Sequence, residues 1–412
     1  MKRTEWMAVP KPVFDNSKEV SGYYLSYQLE NALTGRVREL IYASDTYLPV
    51  FDFVNETGLD TLTLGNMLFV PITNALLAMD IESLCKAERS LIALLLDNKI
   101  ELNDRNQALI SRHRELGYKI AFYDVDIQEL EEFLDHTDYV FVNVKLDKVS
   151  LLVDKCRRHG AKIIAMNVDS NNSFNVLRSN GIGLFEGSFY KIASDGKHNT
   201  VSPLQVNYFQ LLNDLNSDEF DVDSFAKVIS RDTYLAFNFL KMVNSVKNWS
   251  APIKNLRQAA SLIGQKEIKR WITTSVASAL SQDKPSEVTK ISLVRAKFCE
   301  NVAGLLEMGG QRDNLFLMGL FSVLDAVLDM PFEQALGFIA LPDKVKDALL
   351  GKANDYKDVL DFVRMYERGE WTELSRIALI KEISISDIFD AYHEALIWYG
   401  NLMNMQVEGY TE

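Results

Sequence analysis

RDTYLAFNFLKMVNSVKNWSAPIKNLRQAASLIGQKEIKRWI, residues 231–272, reads as three short amphipathic helices in succession. Leu235, Phe239, Met242 and Val243 recur at i, i+4, i+7 and i+8, which draws one apolar stripe along a helix. Asn244, Ser245 and the polar run up to Pro252 interrupt it. Leu256, Ala259, Ala260 and Ile263 repeat the stripe, and Gly264 stands where a helix end favours a residue free to take positive φ. Ile268, Trp271, Ile272 and Val276 open the third helix. Ala259 and Ala260 are small enough to let a neighbouring helix come close. The segment is a packing module and carries no reaction chemistry.

The words Arg231-Asp232, Val243-Asn244-Ser245, residues 253–260 and Ile263-Gly264 closely resemble the core of the HDOD domain, an all-helical signalling module related to HD phosphohydrolases. GLFSVLDAVLDMP (319–331) and YERGEW (366–371) are similar to the version of that domain fused behind an EAL-type domain. The resemblance implies a helical C-terminal half that docks other proteins. Its candidate contact positions are Asn244, Ser245, Trp249, Lys266, Arg270 and Trp271. Trp249, in a polar break, is the better contact position, whereas Trp271 on a helix stripe reads first as core.

At 412 residues the chain is long enough for two domains with full cores. Hydrophobic residues at 47% and charged residues at 25% fit a globular protein. A formal net charge of -13 argues against a general grip on nucleic acid, which needs a concentrated basic surface. Lys266, Lys269 and Arg270 form a local basic face that reads as solvated helix surface. Cys85, Cys156 and Cys299 are odd in number and far apart, so neither a disulfide framework nor a CxxC metal pattern follows. The N-terminus lacks the apolar run of a signal peptide, and the longest apolar runs (91–96 and 315–324) are too short to span a bilayer. A cytoplasmic protein without a membrane segment is expected.

From residue 13 to about residue 190, short apolar runs alternate with polar helical stretches. The runs cover 67–72, 90–96, 119–125, 139–144, 162–168 and 183–189, with helices expected over 104–116, 128–135, 146–159 and 170–180. Gly117, Gly160 and Gly181 follow three of those helices at C-cap positions. Such β-α alternation predicts a mostly parallel sheet with right-handed crossovers, and the number of units favours a (β/α) barrel over an open sheet. Residues 194–203, polar and ending in Pro203, mark a boundary, and 204–215 reads as a connecting helix. The expected architecture is α/β plus all-α: a TIM-like barrel over 1–200, a helical domain over 201–405 and a frayed tail over 406–412.

The order and spacing of the strands, from Pro12-Val13-Phe14-Asp15 to Gly187, resemble the EAL domain, a barrel that hydrolyses cyclic di-GMP with metal ions. That resemblance implies a set of polar side chains which this sequence lacks. The family's ExLxR word corresponds to Tyr24, Leu25, Ser26, Tyr27 and Gln28. A metal-binding Asn corresponds to Pro71, a Glu to Ala93, and the paired aspartates to Tyr123-Asp124. A Lys and an Asp correspond to Phe141 and Asn143, two further Glu to Met166 and Asp169, and a Gln-Gly pair to Glu186-Gly187. Mg²⁺ or Mn²⁺ requires several hard oxygen ligands, and Pro71, Ala93 and Met166 supply none from their side chains. Two-metal hydrolysis needs both ions to generate the nucleophile and clamp the phosphodiester. Each lost charged contact is worth roughly 1.5–3 kcal/mol, so two losses alone slow turnover by on the order of 10²–10⁴.

No cofactor is therefore expected, and Asp124, Asp169 and Glu186 would meet an anionic substrate with like charge, which argues against cyclic di-GMP binding. Phe141 and Met166 read as filling the former pocket, with a Tyr-lined ligand site around Tyr24, Tyr27 and Tyr123 as the weaker alternative. The helical half lacks any histidine between His198 and His393, and His393-Glu394 has no second His four residues on, so no HD-type or HExxH metal centre follows. Ser188 and Cys156 have no base partnered with them in the sequence. The leading expectation is a non-catalytic signalling protein whose partners are other proteins or a second copy of itself. A cyclic di-GMP phosphodiesterase or receptor with a remodelled pocket is the alternative.

Overall fold

The computed structural model describes residues 6–29, 49–97, 100, 103–123, 134–143, 149–191, 221–230, 233–246, 252–280 and 286–407. The strands are β1 (Trp6–Phe14), β2 (Val20–Leu29), β3 (Met67–Ile72), β4 (Ile92–Asp97), β5 (Lys119–Tyr123), β6 (Tyr139–Val142), β7 (Lys162–Ala165) and β8 (Leu184–Glu186). The helices are α1 (Val50–Thr57), α2 (Asp104–Glu115), α3 (Val149–His159), α4 (Asn171–Ser179), α5 (Thr233–Val246), α6 (Leu256–Ile263), α7 (Gln265–Leu280), α8 (Ser286–Leu305), α9 (Arg312–Phe321), α10 (Asp355–Arg368), α11 (Trp371–Ile380) and α12 (Ile385–Val407), with shorter helical turns between them.

The strands close into one barrel in sequence order. β2 to β8 are parallel neighbours, as in Leu68↔Ile92, Leu94↔Ile120 and Phe141↔Ile164. Continuous apolar runs such as MLFVPI and IALLLD suit strands covered on both faces. β6, β7 and β8 are each at least two residues shorter than their sequence runs, and β8 has only three residues.

One feature departs from uniform β-α alternation. β1 is antiparallel to both its neighbours, pairing Val9↔Ser26 with β2 and closing the barrel through Val13↔Glu186 and Phe14↔Phe185 with β8. The cause is a tight turn after Phe14. Asp15 Oδ1 accepts from the amides of Ser17 (2.7 Å) and Glu19 (3.0 Å), and Lys18 takes φ 65°. A side chain that substitutes for backbone turn bonds reverses the chain without a helix.

Side chains that cap helices follow the sequence. Asn103 Oδ1 accepts from Asn106 N (2.9 Å) to start α2, and Ser170 Oγ accepts from Ser173 N (3.0 Å) to start α4. Gly117, Gly160 and Gly181 all take positive φ at the expected helix ends.

The chain forms two compact units that do not follow sequence order. Residues 301–310 and 359–397 cluster with the barrel, although they lie well beyond the boundary read at residue 200; the other unit comprises 193–300, 311–358 and 398–412. In the barrel unit, the Tyr366 hydroxyl donates to the Ala8 carbonyl (2.9 Å), and the rings of Trp6, Phe53 and Phe389 meet edge-on or tilted at 5.3–5.6 Å. His393 Nε2 lies 2.9 Å from Thr57 Oγ1, so this histidine is held inside the fold.

In the helical unit Leu235, Phe239, Val243, Ala259, Ala260, Ile268 and Ile272 are buried, and Trp271 stacks on Phe239 at 4.9 Å. α8 also buries Glu287, Lys290 and Arg295. Burial pulls the Lys290 ammonium down to about 8, against the raising influence of Glu287. A lysine with a depressed folded pKa binds fewer protons folded than unfolded between about pH 8 and its ordinary value of 10.5. Stability therefore rises with pH across that window, by roughly 3 kcal/mol in full, and the gain is absent below pH 8. Urea midpoints at pH 7 and pH 9.5 should show this rise in the wild type, and Lys290→Met should flatten it. An identical slope in both proteins would refute the assignment.

Among the described residues no helix is long and apolar enough to cross a membrane. All three cysteines are buried and free. The region 194–203, the expected connecting helix over 204–215, most of the helix expected over 128–135, and residues 408–412 lie outside the described residues.

Candidate functional site

Parallel barrel strands point alternate side chains into the barrel, and the C-terminal strand ends form the mouth. Val13, Tyr24, Phe69, Ala93, Leu95, Ala121, Phe141, Ile164 and Met166 make one buried cluster, with Met67, Tyr123, Tyr139 and Leu184 packed against it. Period-two alternation puts Gln28, Pro71, Asn143 and Glu186 on the same inward set. Of the positions expected to form a vestigial pocket, Tyr24, Ala93, Phe141 and Met166 lie in this cluster and Tyr123 packs against it. Phe141 touches the rings of Tyr24 (5.4 Å), Phe69 (5.1 Å) and Tyr123 (5.8 Å), while Tyr24 and Tyr123 lie 6.0 Å apart. Aromatic contacts at these separations favour a filled interior.

Among the described residues, polar chemistry at the mouth is confined to a few groups. Glu186 is 8% exposed, and its Oε2 accepts from Asn167 N (3.1 Å). Asn167 takes φ 56°, a left-handed conformation that Asn tolerates, and this turns its amide toward the carboxylate. The Tyr24 phenol hydrogen-bonds Glu186 and Tyr123; burial, then the negative charge of Glu186, holds it well above the usual tyrosine range. Lys11 on β1 stands with its ammonium 5.9 Å from the Tyr24 ring. Burial lowers its pKa, against the opposing pull of Glu186 and Glu370. Asp169 is exposed and accepts from the Ser188 hydroxyl (3.0 Å) and amide (3.4 Å). Asn143 is exposed, Pro71 and Gln28 are buried, and Asp124 lies outside the described residues.

A second segment reaches this end of the barrel. Gly369 lies between α10 and α11 in the YERGEW word, and a Cβ there would stand 3.0 Å from Ser26 Oγ. Ser26 shares the inward face of β2 with Tyr24, one step nearer the mouth. The neighbouring Glu370 supplies the second carboxylate acting on Lys11. Sequence reasoning missed Lys11, Asn167, Gly369 and Glu370. YERGEW was visible as a word, yet nothing in its local pattern tells which strand it packs against.

The EAL resemblance implies metal ions here, and the donor set does not fit them. Among described side chains the mouth offers one inward carboxylate, already bonded to an amide and a phenol, and the amides of Gln28 and Asn143, together with aromatic rings and a thioether. A hard divalent cation takes about six oxygen ligands. Among the described residues no group of three or more His, Cys, Asp or Glu side chains is placed to hold a metal.

The helical candidates separate by environment. Asn244 Nδ2 donates to the carbonyls of Leu240 (2.8 Å) and Ile253 (2.9 Å), and its Oδ1 accepts from Ile253 N (2.8 Å). It is a clamp between the end of α5 and the approach to α6, with its amide committed internally. Asn244→Ala would strand the buried Ile253 amide and carbonyl, and we expect a loss of about 2–4 kcal/mol in urea unfolding. An unchanged midpoint would refute the clamp.

Arg270 is likewise committed. It makes a two-pronged bond to Glu300 (3.2 and 2.9 Å) and stacks over Phe316 and Trp398 at 5.1 and 5.5 Å. Lys266 is exposed, 3.5 Å from Asp313, and Trp271 is half-buried. The side chain of Ser245, and Trp249 entirely, lie outside the described residues.

Comparison with known proteins agrees with this architecture. The HDOD domain model matches residues 201–328. The chain is 30% identical over 414 residues to the Bacillus subtilis (strain 168) protein YuxH, covering 96% of this chain and 98% of YuxH. It is also 30% identical over 289 residues to the cyclic di-GMP phosphodiesterase CdgJ of Vibrio cholerae serotype O1, covering 68% of this chain and 67% of CdgJ. Among solved structures it is similar in fold to the EAL enzyme Bd1971 in its cAMP and cyclic di-GMP bound form. That match has 13% identity and a TM-score of 0.36, and covers 44% of this chain and 60% of that one.

Proposed function

This chain belongs to the YuxH-like family of two-domain EAL–HDOD bacterial signalling proteins, and on that premise we propose that its barrel serves cyclic di-GMP signalling without cutting a substrate. The observation that carries the reading is the filled mouth. Tyr24, Tyr123, Phe141 and Met166 occupy inward positions where the family resemblance implies oxygen and ammonium groups. Among the described residues the one inward carboxylate, Glu186, is spent on the Asn167 amide and Tyr24.

What these residues do is hold shape. Glu186 fixes the turn after β7, Tyr24 and Lys11 surround that carboxylate, and the Gly369-Glu370 segment packs against the inward side of β2. A mouth so occupied excludes water and offers no activated nucleophile. In this reading the barrel is a sensor or dimerisation platform, and the helical half is the protein-docking output, with Lys266 and Trp271 among its contact positions.

The relative CdgJ carries a phosphodiesterase name, which makes turnover the decisive test. Full-length protein is incubated with cyclic di-GMP and Mn²⁺ or Mg²⁺, and linear product is followed by chromatography. The proposal expects no metal-dependent product over many hours at micromolar enzyme. Metal-dependent conversion that disappears on chelation would overturn it.

A further inference from the structure

At the opposite end of the barrel, where β6, β7 and β8 begin and α3 ends, lies a cavity of about 510 Å³. Its walls include Tyr139, Val153, Arg157, Lys162, Gly181 and Leu184. Barrel enzymes place their chemistry at the other end, and the N-terminal face is ordinarily closed by packing. The opening has a sequence cause, because Gly160, Gly181 and Gly183 line it and contribute no side chains. A Cβ on Gly160 would meet nothing within 4 Å, whereas one on Gly181 would come into van der Waals contact with Val153 and Arg157.

The lining is chemically one-sided. It contains two cations and no carboxylate. The Lys162 ammonium stands 5.5 Å from the Tyr139 ring and makes no ion pair with a described residue. Arg157 is exposed and has one loose partner, Asp154, at 3.9 Å. Val153, Ala161, Ile163 and Leu184 supply an apolar wall beside these charges. A guanidinium fork and an ammonium lining one concave surface suit the oxygens of a phosphate, and the wall suits a flat apolar body. The volume falls within the range of small-molecule pockets.

We propose that this cavity binds an aromatic phosphate of mononucleotide size, which makes it a ligand site remote from the barrel mouth. The inference rests on the cavity alone and holds whether or not the mouth is catalytic.

The test is calorimetric titration of the full chain at low ionic strength with GMP and, separately, with inorganic phosphate. Saturable GMP binding is expected, with phosphate at least about tenfold weaker because it cannot use the apolar wall. Lys162→Glu and Arg157→Glu, both surface changes, should each weaken GMP about tenfold or more while leaving the circular dichroism spectrum unchanged. Absence of saturable GMP binding would overturn the proposal. So would equal affinity for GMP and phosphate, or GMP affinity left intact in both charge-reversal variants.

Discussion

Gly187→Ala is expected to destabilise the barrel by on the order of 4 kcal/mol, the largest effect of any single methyl group added at the mouth. A Cβ at this position would stand 2.1 Å from the Val168 carbonyl oxygen and 2.5 Å from its carbon and nitrogen. These are backbone atoms and cannot rotate aside. Val168 is also pinned from both directions, its amide donating to the Glu186 carbonyl (2.8 Å) and its carbonyl accepting from Phe189 N (3.2 Å). Gly187 takes φ 149°, which adds strain for any L side chain. Overpacking contributes roughly 1–3 kcal/mol and the backbone conformation a similar amount, a large fraction of a typical domain's stability. Chemical denaturation followed by near-ultraviolet circular dichroism would read it. A variant with the wild-type midpoint would show that the β7 and β8 ends do not approach as described.

Gly319→Val is expected to have a comparable effect in the helical unit, roughly 3–5 kcal/mol, for a different reason. Here the cause is proximity alone. A Cβ on Gly319 would come within 2.6 Å of the Arg295 carbonyl oxygen and 2.7 Å of Ala296 Cα, so α9 lies backbone to backbone on α8. Two bonds lock the pair at that point, and a third, within the end of α9, holds the Ser322 hydroxyl. Ser292 Oγ donates to the Leu320 carbonyl (2.7 Å), Ser322 Oγ donates to the Gly319 carbonyl (2.6 Å), and Arg295 Nη1 donates to Ser322 Oγ (2.7 Å). Separating the helices to admit a side chain would leave the buried Arg295 without its hydroxyl partner, and an unmet charged donor is more damaging than a neutral one. Gly319→Ala should show a smaller loss in the same direction, and the order wild type, Ala, Val in urea midpoint is the measurable signature. Equal midpoints for all three would refute the contact.

The sequence carried the architecture further than it carried the site. Runs such as IALLLD, alternating with polar helical stretches, read as strands covered on both faces, and glycines at 117, 160 and 181 closed three helices where expected. The antiparallel start escaped the alternation rule, because Asp15 accepting two amides turns the chain within four residues and no helix announces the crossing. At the site, the replacement of charged and metal-binding residues by Tyr24, Pro71, Ala93, Phe141 and Met166 was legible from a family pattern. Their mutual packing required the register that brings Tyr24 opposite Phe69 and Tyr123 opposite Phe141.

Long-range partners were not legible at all. Lys11 and Glu370 are separated by most of the chain, and no periodicity links them. Asn244 and Arg270 illustrate the same limit from the other side. Both are polar and half-buried, the signature of a contact surface, and both spend their hydrogen bonds inside the fold. The compact units interleave in sequence for a related reason. The helices that pack beside β1 and β2 come from residues 359–397, so a boundary drawn from composition at residue 200 cannot show them.

A barrel that serves signalling without cutting a substrate, as proposed, should not retain divalent cations at its mouth. Titration of the full chain with Mn²⁺, followed by electron paramagnetic resonance of the free ion, reads that capacity without reference to any substrate. The expected result is no saturable Mn²⁺ binding below millimolar concentration. Two ions retained per chain at micromolar Mn²⁺, and lost from a Glu186→Gln variant, would contradict it.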